Sequence, residues 1–196
     1  MKVGIMGGAF DPIHVGHLLA AETAREACGL DEVWFMPSHV PPHKQASGVS
    51  GEERLAMVEA AVKSHPAFRS LDLELRKGGV SYTIETVRLL QERHPDVAFY
   101  FIIGADMVAY LPKWKEIGEL ARRLRFIGVA RPGTPLDLDA LPPEIAGSVT
   151  VAGMPQMDIS STAIRRRAAE GRSIRYLVPD AVHDLVSRRG LYGVQP

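Results

Sequence analysis

Apolar positions along this chain follow two alternating rhythms: short apolar runs, and longer stretches with helical spacing. Residues 2–6 are a short run that ends in Gly7-Gly8, and 15–28 carry a helical pattern closed by Gly29. Residues 32–36 form a second run, stopped by Pro37. A helix is expected over about 52–64, where Leu55, Val58 and Val62 share one face. Leu71, Leu73 and Leu75 alternate with charged residues, the pattern of a half-buried strand. Residues 83–93 read as a helix with Thr83 as its N-cap, ended by His94-Pro95. Residues 97–103 are apolar on both faces, which suits a central strand covered by helices. Another strand is expected at 125–130, before Arg131-Pro132-Gly133. The Pro- and Asp-rich stretch 133–147 reads mostly as loop, and 149–152 as a last strand. Residues 162–170 and 180–189 are closing helices, the second ended by Gly190 as a left-handed C′ residue.

Strands alternating with helices imply an α/β fold: a doubly wound parallel sheet with right-handed crossovers and helices on both faces. No repeat or linker divides the chain, so residues 1–196 are expected to form one domain, with 162–196 as a small C-terminal helical element. In such sheets ligands bind beyond the carboxyl ends of the strands, so the residues just after each strand matter most.

Composition narrows the function. The chain carries 23 basic and 23 acidic residues, and this balance disfavours nucleic-acid tracks and anionic membranes as partners. Cys28 is the only cysteine, which excludes an internal disulfide and points to a reducing compartment. The apolar start is too short for a signal peptide and no run approaches the roughly 18 residues of a membrane span, so a cytoplasmic protein is expected.

The candidate chemistry sits after the first strand, in Gly7-Gly8-Ala9-Phe10-Asp11-Pro12-Ile13-His14-Val15-Gly16-His17. Two glycines permit close approach of a phosphate chain, and Pro12 stiffens the turn. His14 and His17, three apart at a helix mouth, can face the same side, where the helix dipole favours an anion. Gly16 removes bulk where a flat base could pack. A polar surface turn or a metal site are the bland alternatives, but no Cys or carboxylate stands at ligand spacing beside the pair, so no protein metal site is expected. A second stretch, Ile159-Ser160-Ser161-Thr162-Ala163-Ile164-Arg165, opens a helix whose hydroxyls and forked guanidinium suit the same anion. Taken alone it is an ordinary N-cap with a surface arginine.

The first string resembles the HxGH signature of nucleotidyltransferases related to class I aminoacyl-tRNA synthetases, and the second their ISSTxIR signature. With PPHK (41–44), SYT (81–83), FIIGADM (101–107), LPKW (111–114) and FIGVARPG (126–133), nearly the whole chain resembles bacterial nicotinate-nucleotide adenylyltransferases. The resemblance implies a Rossmann-like fold and adenylyl transfer from ATP to nicotinate mononucleotide. It implies ATP contacts at Gly7, Gly8, Ala9, Phe10, His14, Gly16, His17, Gly104, Asp106, Arg131, Ser160, Ser161 and Arg165. The nicotinate nucleotide would meet Lys44, Tyr82, Thr83, Trp114 and Lys115, with Trp114 stacked on the ring and N–H groups near Thr83 and Lys115 on its carboxylate. One departure is Ala9, where relatives commonly carry Thr or Ser.

His14, His17, Lys44 and Arg165 are the expected catalytic residues, working by positioning and charge stabilisation without a general base. Mg²⁺ is expected to bridge phosphate oxygens, mostly through waters. Phosphopantetheine adenylyltransferase is the nearest rival reading, though it usually has Thr where His14 stands. A cytidylyltransferase ranks lower, and a non-catalytic nucleotide-binding sensor is the rival from another class. A homo-oligomer is left open.

Overall fold

A computed structural model describes residues 1–40, 48–131, 133 and 136–194. From the amino end the chain runs β1 (Lys2–Gly8), α1 (Val15–Cys28), β2 (Glu32–Pro37), α2 (Gly51–Val62), β3 (Phe68–Ser70), α3 (Leu73–Lys77) and α4 (Thr83–Arg93). It continues with β4 (Ala98–Gly104), α5 (Ala105–Tyr110), α6 (Ile117–Arg123), β5 (Arg125–Ala130), α7 (Pro143–Ala146), β6 (Val149–Gly153), α8 (Ser161–Ala169) and α9 (Asp180–Arg189). Among the described residues the strands form one sheet in the order β3-β2-β1-β4-β5-β6, with every neighbouring pair parallel.

Side chains alternate across this sheet into two apolar layers. Phe35, Ile102, Ile127 and Val129 face the layer built by α1, α2, α8 and α9, through Ala21, Met57, Ile164 and Val182. Trp34, Phe101, Ile103 and Phe126 face the opposite layer, with Ile84, Val108, Leu120 and Ile145 from α4, α5, α6 and α7. Helices therefore cover both faces, and the continuous apolar run expected at 97–103 is β4, central in the sheet. The order reverses direction between β1 and β4, and a crevice opens there at the carboxyl ends of the strands.

Several expectations need correction. The stretch at Leu71, Leu73 and Leu75 is not a strand. The edge strand ends at Ser70; Leu71 donates its N–H to the Phe35 carbonyl (2.9 Å) before the chain turns into α3. Leu73 and Glu74 are both buried as neighbours, which successive residues of a half-buried strand cannot be, because they point to opposite faces. Thr83 is the first residue of α4 rather than its cap. Tyr82 is extended and its carbonyl accepts the N–H of Thr86 (3.2 Å), so Tyr82 is the N-cap. The mostly looped stretch before β6 includes the short helix α7, which buries Ile145. By contrast α1, α4, β5 and α9 have the expected bounds, and Gly190 is left-handed at φ 60°.

Candidate active site

The first motif is a short loop between β1 and α1. Phe10 folds back over Gly8, where an added Cβ would lie 3.4 Å from the phenyl ring, in van der Waals contact. The Asp11–Pro12 peptide is cis. His14 is the N-cap of α1, and its carbonyl accepts from the N–H of His17 (2.9 Å). His17 Nδ1 in turn accepts the N–H of His14 (3.2 Å), which leaves the proton of a neutral His17 on Nε2. The two imidazoles stack with centroids 3.6 Å apart and an interplanar angle of 24°. Burial, aided by the positive charge of Arg131, lowers the His14 pKa to about 4. Among the described residues the buried Nδ1 of His14 has no partner, an arrangement less costly for a lone pair than for an N–H, so its proton also belongs on Nε2. Gly16 lines the cleft and also makes room for a neighbouring ring. A Cβ there would stand 3.1 Å from His14 Nδ1, so the glycine accommodates the imidazole itself.

The second motif is fastened to the first. Ser160 caps α8, its hydroxyl accepting from the Ala163 N–H (3.2 Å). The Ser161 hydroxyl donates to the Pro12 carbonyl (2.9 Å), and Arg165 Nη1 donates to the Asp11 carbonyl (2.7 Å) while lying 3.7 Å from the Asp11 carboxylate. The N-termini of α1 and α8 thus open onto one cleft of about 1010 Å³. Its lining includes every residue expected to contact ATP: Gly7, Gly8, Ala9, Phe10, His14, Gly16, His17, Gly104, Asp106, Arg131, Ser160, Ser161 and Arg165. At Gly104 a Cβ would fall 2.7 Å from Asp106 Oδ1, so the glycine leaves the carboxylate its place at the end of β4.

The residues expected to hold the second substrate gather elsewhere. Lys44 lies outside the described residues. Tyr82, Thr83, Trp114 and Lys115 are not in the lining of the cleft. Trp114 is half-buried, edge-on to Phe101 (5.8 Å) and Phe126 (6.0 Å). Phe101 connects the two regions, since its ring also closes over Gly7, 3.2 Å from where a Cβ would stand. Lys115 Nζ sits 4.2 Å from the centre of the Tyr82 ring and bonds Glu85 (2.9 Å), which Lys77 also bonds (2.6 Å). Those two lysines hold the Glu85 carboxyl down at about 2. Arg88 ties α4 to Glu116 (2.6 Å) and Glu119, so the chain after Trp114 is clamped to α4 by surface ion pairs.

A family model for cytidylyltransferase-like proteins matches residues 5–167. A protein of Geobacillus thermodenitrificans named "Probable nicotinate-nucleotide adenylyltransferase" is 47% identical over 195 residues, covering 99% of this chain and 87% of its own. The nicotinate-nucleotide adenylyltransferase of Bacillus subtilis is 43% identical over 192 residues, covering 97% of this chain and 98% of its own. The chain belongs to the nicotinate-nucleotide adenylyltransferase family. In fold it is similar to the nicotinic acid mononucleotide adenylyltransferase of Plasmodium falciparum complexed with NaAD, with a TM-score of 0.82 at 20% identity, covering 99% of this chain and 98% of that one.

Two residues that no motif flagged also shape the site of this nucleotidyltransferase. Arg54 of α2 is 4% exposed and donates from Nη1 to the Ala9 carbonyl (2.6 Å), so the main chain of Ala9 is held whatever its side chain. Burial lowers the Arg54 pKa, and the Asp11 charge opposes this. A signal was present: Arg54 precedes buried Met57, Val58 and Ala61 by three, four and seven residues, on the apolar face of its helix. Tyr192, left-handed at φ 58°, donates its hydroxyl to Asp11 Oδ1 (2.6 Å) from the far end of the chain. Burial and that bond push its phenol pKa up. No local pattern announces Tyr192.

Proposed function

We propose that the chain transfers the adenylyl group of ATP to nicotinate mononucleotide, giving nicotinate adenine dinucleotide and pyrophosphate on the route to NAD. The observation that carries this reading is the pair of bonds from Ser161 and Arg165 to the Pro12 and Asp11 carbonyls, which brings two helix N-termini to one cleft. An acceptor phosphate already presents an oxygen anion, so its in-line attack on the α-phosphorus of ATP needs no general base. A new P–O bond forms as the bond to the β-phosphate oxygen breaks, and pyrophosphate leaves with the electron pair. The protein's part is positioning and stabilisation of charge.

In this reading His14 and His17 donate from Nε2 as neutral imidazoles, and Arg165 adds a permanent cation beside them. The backbone from Gly7 to Phe10 follows the phosphates; Gly104 and Asp106 run along the ribose, and Arg131 borders the adenosine. Lys44 neutralises phosphate. A Mg²⁺ bound with the nucleotide would supply positive charge against its phosphates. The cleft offers the carboxylates of Asp11 and Asp106, and among the described residues no group of three His, Cys, Asp or Glu side chains could cage an ion. That donor set fits a cation liganded by phosphate oxygens and water, which when bound would neutralise phosphate charge.

Trp114 stacks on the pyridine ring, and the N–H groups of Thr83 and Lys115 receive its carboxylate. Thr83 opens α4, so its N–H belongs to the helix turn that lacks an internal acceptor. A carboxylate needs only donors there, whereas an amide would also need an acceptor.

Pyrophosphate release measured with ATP and each of three acceptors tests the reading. Nicotinate mononucleotide should turn over at least about tenfold faster than its amide, and phosphopantetheine not at all. Preference for phosphopantetheine would overturn the substrate, and silence with all three would leave a nucleotide-binding sensor.

A further inference from the structure

Beneath the second-substrate region lies a carboxylate that the reaction does not use. Glu74 of α3 is 5% exposed. The Thr86 hydroxyl, from α4, donates to its Oε1 (2.8 Å) and also lies 3.3 Å from the carbonyl of Tyr82, the N-cap of that helix. Burial pushes the Glu74 carboxyl pKa up, while the Thr86 and Ser81 hydroxyls and Lys77 oppose that rise. Ser81 joins the entry of α4 to β2. Its oxygen accepts the N–H of His39 (3.1 Å), and its own N–H donates to the Val40 carbonyl (3.0 Å). His39 Nδ1 lies 3.1 Å from the Gly79 carbonyl, and Val40 pairs with Val80 as a parallel bridge. The exit from β2 and the entry to α4 are thus laid side by side, and Glu74 holds α4 through Thr86.

We infer that Glu74 is a positioning residue for the acceptor nucleotide: through Thr86 it fixes the donors at the start of α4, which lies against the exit of β2. The inference rests on the placement of that substrate at Thr83 and Trp114. A carboxylate suits the task because it accepts the Thr86 hydroxyl and need donate nothing in return. An apolar side chain would fill the space but leave that hydroxyl only the longer bond to the Tyr82 carbonyl within its own helix.

Steady-state kinetics of Glu74→Ala, Glu74→Gln and Thr86→Val, with both substrates varied, separate positioning from bulk stability. Glu74→Ala should raise the KM for nicotinate mononucleotide about tenfold while kcat and the KM for ATP stay within about twofold. Glu74→Gln, which keeps one accepting oxygen, should recover most of that loss. If Glu74→Ala does not fold, Thr86→Val is the deciding variant, with an expected rise of about threefold for the acceptor alone. Equal shifts in both KM values, or a lowered Tm with unchanged kinetics, would overturn the inference. Hydrogen exchange provides a readout independent of turnover: the Ser81 amide should exchange about tenfold faster in Glu74→Ala or Thr86→Val, relative to amides of α1. Absence of that acceleration overturns the inference even if the wild-type chain prefers another acceptor, whereas acceleration in a wild-type-inactive chain would sink the substrate assignment alone.

Discussion

The two halves of the proposed site are held together by different kinds of bond. In the nucleotide half, Arg54, Ser161 and Arg165 reach main-chain carbonyls of one loop, at Ala9, Pro12 and Asp11. In the acceptor half, Lys115, Lys77 and Arg88 pair with Glu85, Glu116 and Glu119 near solvent. Bonds to a peptide oxygen in a partly buried setting do not depend on the side chain that carries that oxygen, and salt screens them little. Surface ion pairs depend on both partners and are individually weak. In the proposed reading the first arrangement sets a rigid geometry for charge development, and the second tolerates adjustment around a ring that must enter and leave.

The largest expected contrast comes from the reactive groups. Arg165→Ala and His17→Ala should each lower kcat about 10²–10³-fold with KM values changed only a few-fold. Lys115→Ala, which keeps its main chain, should change any kinetic constant less than about threefold, and a larger loss would blur the comparison. Next is Tyr192→Phe, which removes the hydroxyl from Asp11 and from its longer contact with Met57 Sδ (4.0 Å). Unfolding in urea should show a loss of about 1–3 kcal/mol, together with a rise in the KM for ATP but not for the acceptor.

Acid should act on the nucleotide half through His14. Its folded pKa of about 4 is below the ordinary 6.5, so between those values the unfolded chain binds the proton more readily. The stability gained by keeping His14 neutral is full above about pH 6.5 and is lost as pH falls toward 4, by up to roughly 3 kcal/mol. Denaturation of wild type and His14→Asn between pH 4 and 7 measures that difference, and parallel curves would remove it. The smallest effect belongs to Glu85→Gln, expected to cost less than about 1 kcal/mol in the same assay because its lysine partners remain near solvent.

The linear chain determined a great deal. Apolar spacing and stop residues were enough for α1, α4, β5 and α9, because Gly29, His94 and Gly190 act within a turn of the elements they end. The two signature strings supplied two groups of residues that line one cleft, since a helix mouth is built from neighbouring residues. Tertiary structure decided the rest. It turned the Leu71, Leu73 and Leu75 alternation into α3, buried Glu74 and Arg54, and assigned Gly16 to the His14 ring. It also joined Tyr192 to Asp11 across 181 positions. Local spacing reports backbone preference and one apolar face, whereas the partner of a buried polar group is set by chain segments that meet only when the sheet closes.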